Sequence, residues 1–334
     1  MRKRFLICTL VFCIISIIIL VIEFKFSEAN NDFSISLMYT NKEYVANYGL
    51  YNVKKKTLQD LYNRKNEHYS DYIIDEKNNK VYYSELANKK YNIYELNLLD
   101  KHIKSVDLGD YSADIFSLQN SKLIFRTIGK DKKYTIGTND LINKEMYIWD
   151  IKDEDSLIYN FYHDVFDNRV YTIERSRNEM ISNKFEDIPT HKIIQYDENG
   201  AERKLIYSTK KFINNISVNS AKDKILFDAS DIDNNAVINK IYLINLNKNS
   251  EEILIKPDDL IENHKFTLIK KPKFSPDNRG FYFLGSTTQS NIIEDTDVGM
   301  PIYSNALYYY EFSSKKITKI FENKDAIIND FKIQ

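Results

Sequence analysis

The feature that most restricts the fold of this chain is a strand-turn-strand unit, clearest at Lys273-Phe-Ser-Pro-Asp-Asn-Arg-Gly-Phe-Tyr-Phe-Leu284. Pro276 sets the negative φ a tight turn needs, Asp277 and Asn278 can bond their own backbone, and Gly280 is expected to supply the turn's freest residue. With Ser275 these residues form a turn motif that returns the chain antiparallel. Aligning on the returning strand finds fainter copies at Lys80-Val-Tyr-Tyr83, Lys122-Leu-Ile-Phe125, Arg169-Val-Tyr-Thr172 and Lys224-Ile-Leu-Phe227. They recur roughly every 40 to 55 residues, the period range of propeller blades.

Third strands are predicted at Asn92–Leu96, Glu145–Asp150, His191–Asp197, Lys240–Asn245 and Ala306–Glu311, and fourth strands at Lys101–Val106, Ser156–Tyr159, Arg203–Tyr207, Glu252–Ile255 and Lys316–Ile320. Five units of four strands leave one blade to be made from the two ends. Ile327–Ile333 reads as its first strand, with Phe33–Leu37, Val45–Tyr51 and Leu58–Tyr62 completing it. The expected fold is therefore all-β: a six-bladed β-propeller of four-stranded antiparallel blades over 33–334, closed by a shared blade that leaves few bare sheet edges. Tyr 25 and Phe 19 against Gly 8 and Pro 5 suit such a chain.

The hairpin at Lys273–Phe283 resembles the repeat of bacterial TolB-like propellers, whose blades carry a similar Ser-Pro-Asp-Gly turn before an apolar strand. The blade pattern covers about residues 33 to 334, although only one blade shows the motif in full. The resemblance implies binding of protein partners in the extracytoplasmic space; fold alone does not fix function.

Ahead of the propeller lie a basic stub at 1–4, an uncharged apolar run from Phe5 to Ile22 and a linker at 23–32. As a helix the run would span roughly 27 Å, enough to cross a bilayer. The basic residues before it imply a single-pass anchor in the bacterial cell membrane with the propeller outside. Ser27-Glu28-Ala29 also fits a signal-peptide cut after Ala29, which would secrete the protein. Cys8 and Cys13 both fall in this leader, so the propeller has neither disulfide nor thiolate chemistry. Taking Arg2, Lys3, Arg4, Lys25, Glu23 and Glu28 from the 47 basic and 48 acidic residues leaves 43 and 46. So balanced a surface argues against nucleic-acid binding.

Links between second and third strands share one face of a propeller. Three are long, at 128–144, 174–190 and 285–305, and long loops on a rigid scaffold are usual recognition sites. Asp231, Asp233 and Asn235 place oxygens at the first, third and fifth positions of a calcium-loop pattern, but Ala236 replaces its glycine and Tyr242 its bidentate glutamate. With Asp295 and Asp297 in the next blade they are candidate cation ligands; solvated loops are the plainer reading, and no cofactor is otherwise implied. His68, His102, His163, His191 and His264 lack metal-ligand spacing, and neither a Gly-x-Ser-x-Gly elbow nor a phosphate-cradling glycine loop is present.

The function expected is that of a monomeric, non-catalytic binding or scaffolding module for an extracytoplasmic protein, peptide or envelope glycan. The alternatives are a lyase or cyclase with its active site in the propeller channel, or a ligand sensor working through a membrane partner.

Overall fold

The computed structural model describes residues 33–65, 71–128, 133–182, 188–233, 236–295 and 301–334. The apolar run Phe5 to Ile22 and the cut after Ala29 lie outside the described residues. Among those described, no helix is long and apolar enough to cross a membrane.

Six antiparallel sheets form the blades of a propeller. From the innermost strand outward, blade 1 is Ala326–Ile333, Ser34–Asn41, Val45–Asn52 and Thr57–Lys65, so the C-terminal strand pairs with the N-terminal one as expected. Blade 2 is Tyr72–Asp75, Lys80–Ala87, Lys90–Asn97 and Ile103–Ser105, and blade 3 is Phe116–Gln119, Lys122–Ile128, Tyr134–Asp140 and Met146–Ile148. Blade 4 is Ser156–Asp164, Arg169–Ser176, His191–Asp197 and Arg203–Thr209, and blade 5 is Phe212–Val218, Lys224–Asp233, Ala236–Asn245 and Ser250–Ile255. Blade 6 is His264–Phe274, Gly280–Thr287, Ala306–Glu311 and Ile317–Glu322, with the short strand Leu260–Ile261 added beside His264.

Each seam between blades has its own apolar cluster. Tyr48, Tyr72 and Tyr83 fill the seam of blades 1 and 2, and Phe266, Phe281, Phe283 and Tyr308 that of blades 5 and 6. Broad rings suit this task, because wedge-shaped gaps between twisted sheets need large side chains, and tyrosine hydroxyls can still reach polar partners. This is where the aromatic excess goes.

Two strand expectations are corrected in blades 3 and 4. The segment read as a long link at 128–144 contains the third strand of blade 3, and Met146–Ile148 is the fourth. Ser156–Asp164 is the inner strand of blade 4 rather than an outer strand of blade 3. The strand Tyr134–Asp140 escapes the hydrophobic pattern because it buries Thr135, Gly137, Thr138 and Asn139 beside Ile136. Gly137 has a packing reason: a Cβ there would lie 2.5 Å from the Phe125 ring and 2.8 Å from Ile148.

The Ser275–Gly280 turn forms, with a different division of labour. Asn278 takes the left-handed φ of 56° and the peptide N–H of Gly280 donates to Ser275 Oγ at 3.2 Å. Gly280 is not the flexible member. It starts the next strand, where a Cβ would meet the Tyr310 carbonyl oxygen at 2.0 Å. Blade 5 builds the same turn from Asn219 to Lys224: Asn219 Oδ1 accepts from the N–H groups of Asp223 and Lys224, and Lys222 takes φ 59°. An amide replaces the serine hydroxyl and the conformation survives.

Candidate functional site

The inner strands of blades 4, 5, 6 and 1 all depart from regular pairing, blade 6 at a second place as well, between Phe266 and Leu268. The register slips at Tyr159, at Asn214, at Lys271-Pro272 and at Asn329. A bulge leaves a residue outside the ladder and turns its polar groups elsewhere. Here three bulge carbonyls receive a side chain from the preceding blade. Arg126 Nη1 donates to Tyr159 O, Asn160 Nδ2 to Asn214 O at 2.8 Å, and Lys271 Nζ to Asn329 O at 2.9 Å.

Other polar ties complete the ring. Lys332 Nζ of blade 1 pairs with Asp71 Oδ1 at 2.9 Å at the start of blade 2, and Asp71 Oδ2 accepts from the peptide N–H of Phe116 in blade 3 at 2.9 Å. Arg126 pairs with Asp114 and so links that segment to blade 4. Between blades 5 and 6, the peptide N–H of Phe274 donates to Ser217 Oγ at 3.2 Å. Blades 6 and 1 are joined by Lys271 and Lys273, which reach Asp330 Oδ1 at 3.3 and 3.2 Å. Every adjacent pair of blades is thus tied near the axis by at least one side-chain hydrogen bond or ion pair.

The charges concentrate where blades 5, 6 and 1 meet. Burial alone would raise the Asp330 carboxyl, but Lys271, Lys273 and Lys332 hold it well below the ordinary carboxylate range. Burial lowers Lys273 to about 8 despite Asp330. Lys270 is also lowered to about 8, by burial first and by Lys271 second. Asp228, 2% exposed on the second strand of blade 5, is raised to about 6 by burial. Its Oδ2 accepts from Asn215 Nδ2 at 3.2 Å, and Oδ1 has no hydrogen-bond partner among the described residues. The peptide N–H of Lys271 also favours the charged carboxylate.

Across the axis, the Arg175 guanidinium lies 3.4 Å from the Tyr159 ring centre and 3.9 Å from that of Phe212. Burial and the nearby Arg126 lower it to about 10. His191 is fully buried against Phe212, with Nδ1 2.8 Å from Pro189 O, and His163 Nδ1 lies 3.1 Å from Ser117 Oγ. Burial lowers both imidazoles to about 4, so they are neutral near pH 7.

The candidate cation ligands are placed apart from this cluster. Asp231 is engaged already: Lys240 Nζ lies 3.1 Å from Oδ2, and Tyr242, the residue in the calcium pattern's glutamate position, donates its hydroxyl to the same oxygen. Asp233 ends its strand opposite Ala236, and Asp295 ends Ile292–Asp295, paired with Pro301. Asn235 and Asp297 lie outside the described residues. Among the described residues no group of three or more His, Cys, Asp or Glu is arranged to hold a metal ion. The turn residues Ser275, Pro276, Asp277 and Gly280 are structural, on the face opposite the long links.

Sequence reasoning missed the axial residues. Their available signal was the polar doublet Asn329-Asp330 inside the predicted strand Ile327–Ile333, together with Asn214-Asn215 and Lys270-Lys271-Pro-Lys273. Each breaks the alternation a regular strand would show.

No family model matches the chain. A segment of 178 residues is 24% identical to the uncharacterized protein YdjN of Bacillus subtilis (strain 168), covering 53% of this chain and 50% of that protein. The match therefore spans half the length of that relative. Among solved structures, TolB from Acinetobacter baumannii superposes with a TM-score of 0.61 at 12% identity, over 91% of this chain and 67% of that one. An oligogalacturonate lyase in complex with manganese superposes with a TM-score of 0.54 at 14% identity, over 77% of this chain and 66% of the lyase. The fold is that of a TolB-like six-bladed β-propeller, and the same architecture serves an enzyme.

Proposed function

We propose that this chain is a monomeric, non-catalytic extracytoplasmic binding module, held at a bacterial membrane by its N-terminal segment or released after Ala29. Its ligand is a protein, a peptide or an envelope component. The observation that supports the reading is the gathering of long links, with exposed apolar groups, on one face. The blade 4 link carries the helix Arg177–Ser182 with Met180 and Ile181 exposed. The blade 6 link folds into a hairpin, Ile292–Asp295 with Pro301–Tyr303, which exposes Ile292 and Tyr303. Glu294 of that hairpin accepts from the hydroxyl of the exposed Tyr44 in blade 1 at 3.0 Å, steadying the patch. A rigid ring presenting such groups loses little entropy on contact.

Site-specific photocrosslinking in native cells tests this. A crosslinker at Tyr303 or Ile181 is expected to give a discrete adduct, and one at Leu99 or Ile142 on the opposite face none. Asn291 and Ser304 already exchange hydrogen bonds at 3.0 and 2.7 Å, so Ile292–Tyr303 can be replaced by a two-residue turn; that variant should lose the adduct. Equal labelling from both faces would contradict the reading.

A second reading is a channel enzyme of lyase or cyclase type. It is favoured by Asp228 at about 6 and Lys270 at about 8, which bracket neutrality as an acid-base pair does. An oligogalacturonate lyase shares the fold, which leaves this reading open. Turnover of an acidic oligosaccharide, abolished by Lys270→Met, would establish it.

A further inference from the structure

Most buried charges along the axis are matched to a partner; Lys270 at the seam of blades 5, 6 and 1 is not, and Arg175 in blade 4 lies only against the Tyr159 and Phe212 rings. Lys271 and Lys273 share Asp330, Lys332 pairs with Asp71, Arg126 with Asp114, and these pairs account for the ties between blades. Lys270 lies on the same inner strand of blade 6 and is half-buried. Its side chain makes neither a hydrogen bond nor an ion pair with any described residue, although Asp228 and Asp330 favour its charge without such contact. Two other groups at this place are also unfinished: Asp228 Oδ1, and Asn329 Oδ1 at the blade 1 bulge, are buried without a hydrogen-bond partner. An inner strand could have put leucine at position 270. An unpaired ammonium beside a slip in register is instead what a site for a charged ligand requires.

We infer that the axial seam of blades 5, 6 and 1 binds a compact oxyanion, a carboxylate or phosphate group carried by the ligand, with Lys270 as its principal contact and Asp228 as a proton-linked second contact. The inference rests on the binding-module reading and gives the ligand its chemistry. The charge balance carries the sign. Lys270, Lys271, Lys273 and Lys332 face Asp228, Asp330 and Asp71, an excess of one positive charge that a bound anion neutralises. Lys271 and Lys273 are held on Asp330 and position the field; Lys332 is held on Asp71. Asp228 would repel the anion in its ionised form. A bound anion therefore raises the carboxyl further from its already raised value of about 6, and the proton it takes up lets the carboxyl donate to the anion. Lys270 must be protonated, so binding weakens as pH rises through about 8.

The test is calorimetric titration of the folded propeller with inorganic phosphate and, separately, acetate, at constant ionic strength against chloride. The arm that saturates identifies the anion. Saturable binding by one of them is expected, with uptake of protons between pH 6 and 7. Lys270→Met should weaken it at least tenfold. Asp228→Asn, which keeps a donor and removes the repulsion, should tighten it about tenfold at pH 7.5, as expected for about one pKa unit of interaction. This gain cannot arise from misfolding. Absence of saturable binding by both anions, or binding that either substitution leaves unchanged, overturns the inference. Crosslinking through Tyr303 does not involve Lys270, so a protein that still crosslinks but binds neither anion keeps the binding-module reading and loses only this site.

Discussion

Blades 2 and 3 and blades 4, 5, 6 and 1 solve the same axial problem differently. The inner strands of blades 2 and 3, Tyr72–Asp75 and Phe116–Gln119, are four residues long and regularly paired. The other four run from seven to eleven residues, and each carries a bulge. In the short pair the seam is closed by one acid, Asp71, which takes a peptide N–H and a lysine. In three of the long set, blades 4, 5 and 1, a backbone carbonyl is turned out of the ladder and met by a side chain from the neighbouring blade. The difference shows that extra inner-strand residues buy polar reach at the axis, and that this reach is densest where blades 5, 6 and 1 meet.

Removing the shared acid of the dense seam should have the largest effect. Asp330→Ala leaves Lys271 and Lys273 without their partner, and truncating one side of a buried pair costs about 3–5 kcal/mol. Denaturant unfolding of this variant beside Asp71→Ala checks whether the dense seam contributes more; equal losses would erase the contrast.

Acid should act next, through blade 4. His163 and His191 are depressed to about 4 from 6.5, so the unfolded chain binds protons that the folded one refuses, and stability falls as pH drops from about 6.5 toward 4. Full neutral burial of each corresponds to roughly 3 kcal/mol across that window. A His163→Gln, His191→Gln double variant should flatten the fall in melting temperature over this range.

The smallest effect is expected at a neutral tie. Ser217→Ala removes the acceptor of the Phe274 peptide N–H and should cost about 1–3 kcal/mol in chemical denaturation, as for a buried donor left unpaired.

The parts legible in the sequence are those written locally. The Ser275–Gly280 turn, the copies of its returning strand and the complementary ends that form blade 1 all announce themselves within a few residues. Tyr134–Asp140 did not, because threonine, glycine and asparagine fill a buried strand whose space is taken by the Phe125 ring. The axial ties were illegible for another reason. Lys332 meets Asp71 across 261 positions and Lys273 meets Asp330 across 57, distances that only ring closure brings to contact. The polar doublets mark the bulges; the partners are set by topology.

The lysines of one strand divide into staples and a ligand contact, and the stability of two single variants measured side by side at pH 7 tests that division most directly. Lys273→Met should lose about 3 kcal/mol, as for a broken buried pair. Lys270→Met should unfold at the same denaturant concentration as the parent or a higher one, because it removes a desolvated charge that no described residue pairs. Equal losses would make Lys270 another staple and leave the seam of blades 5, 6 and 1 without a cation to offer.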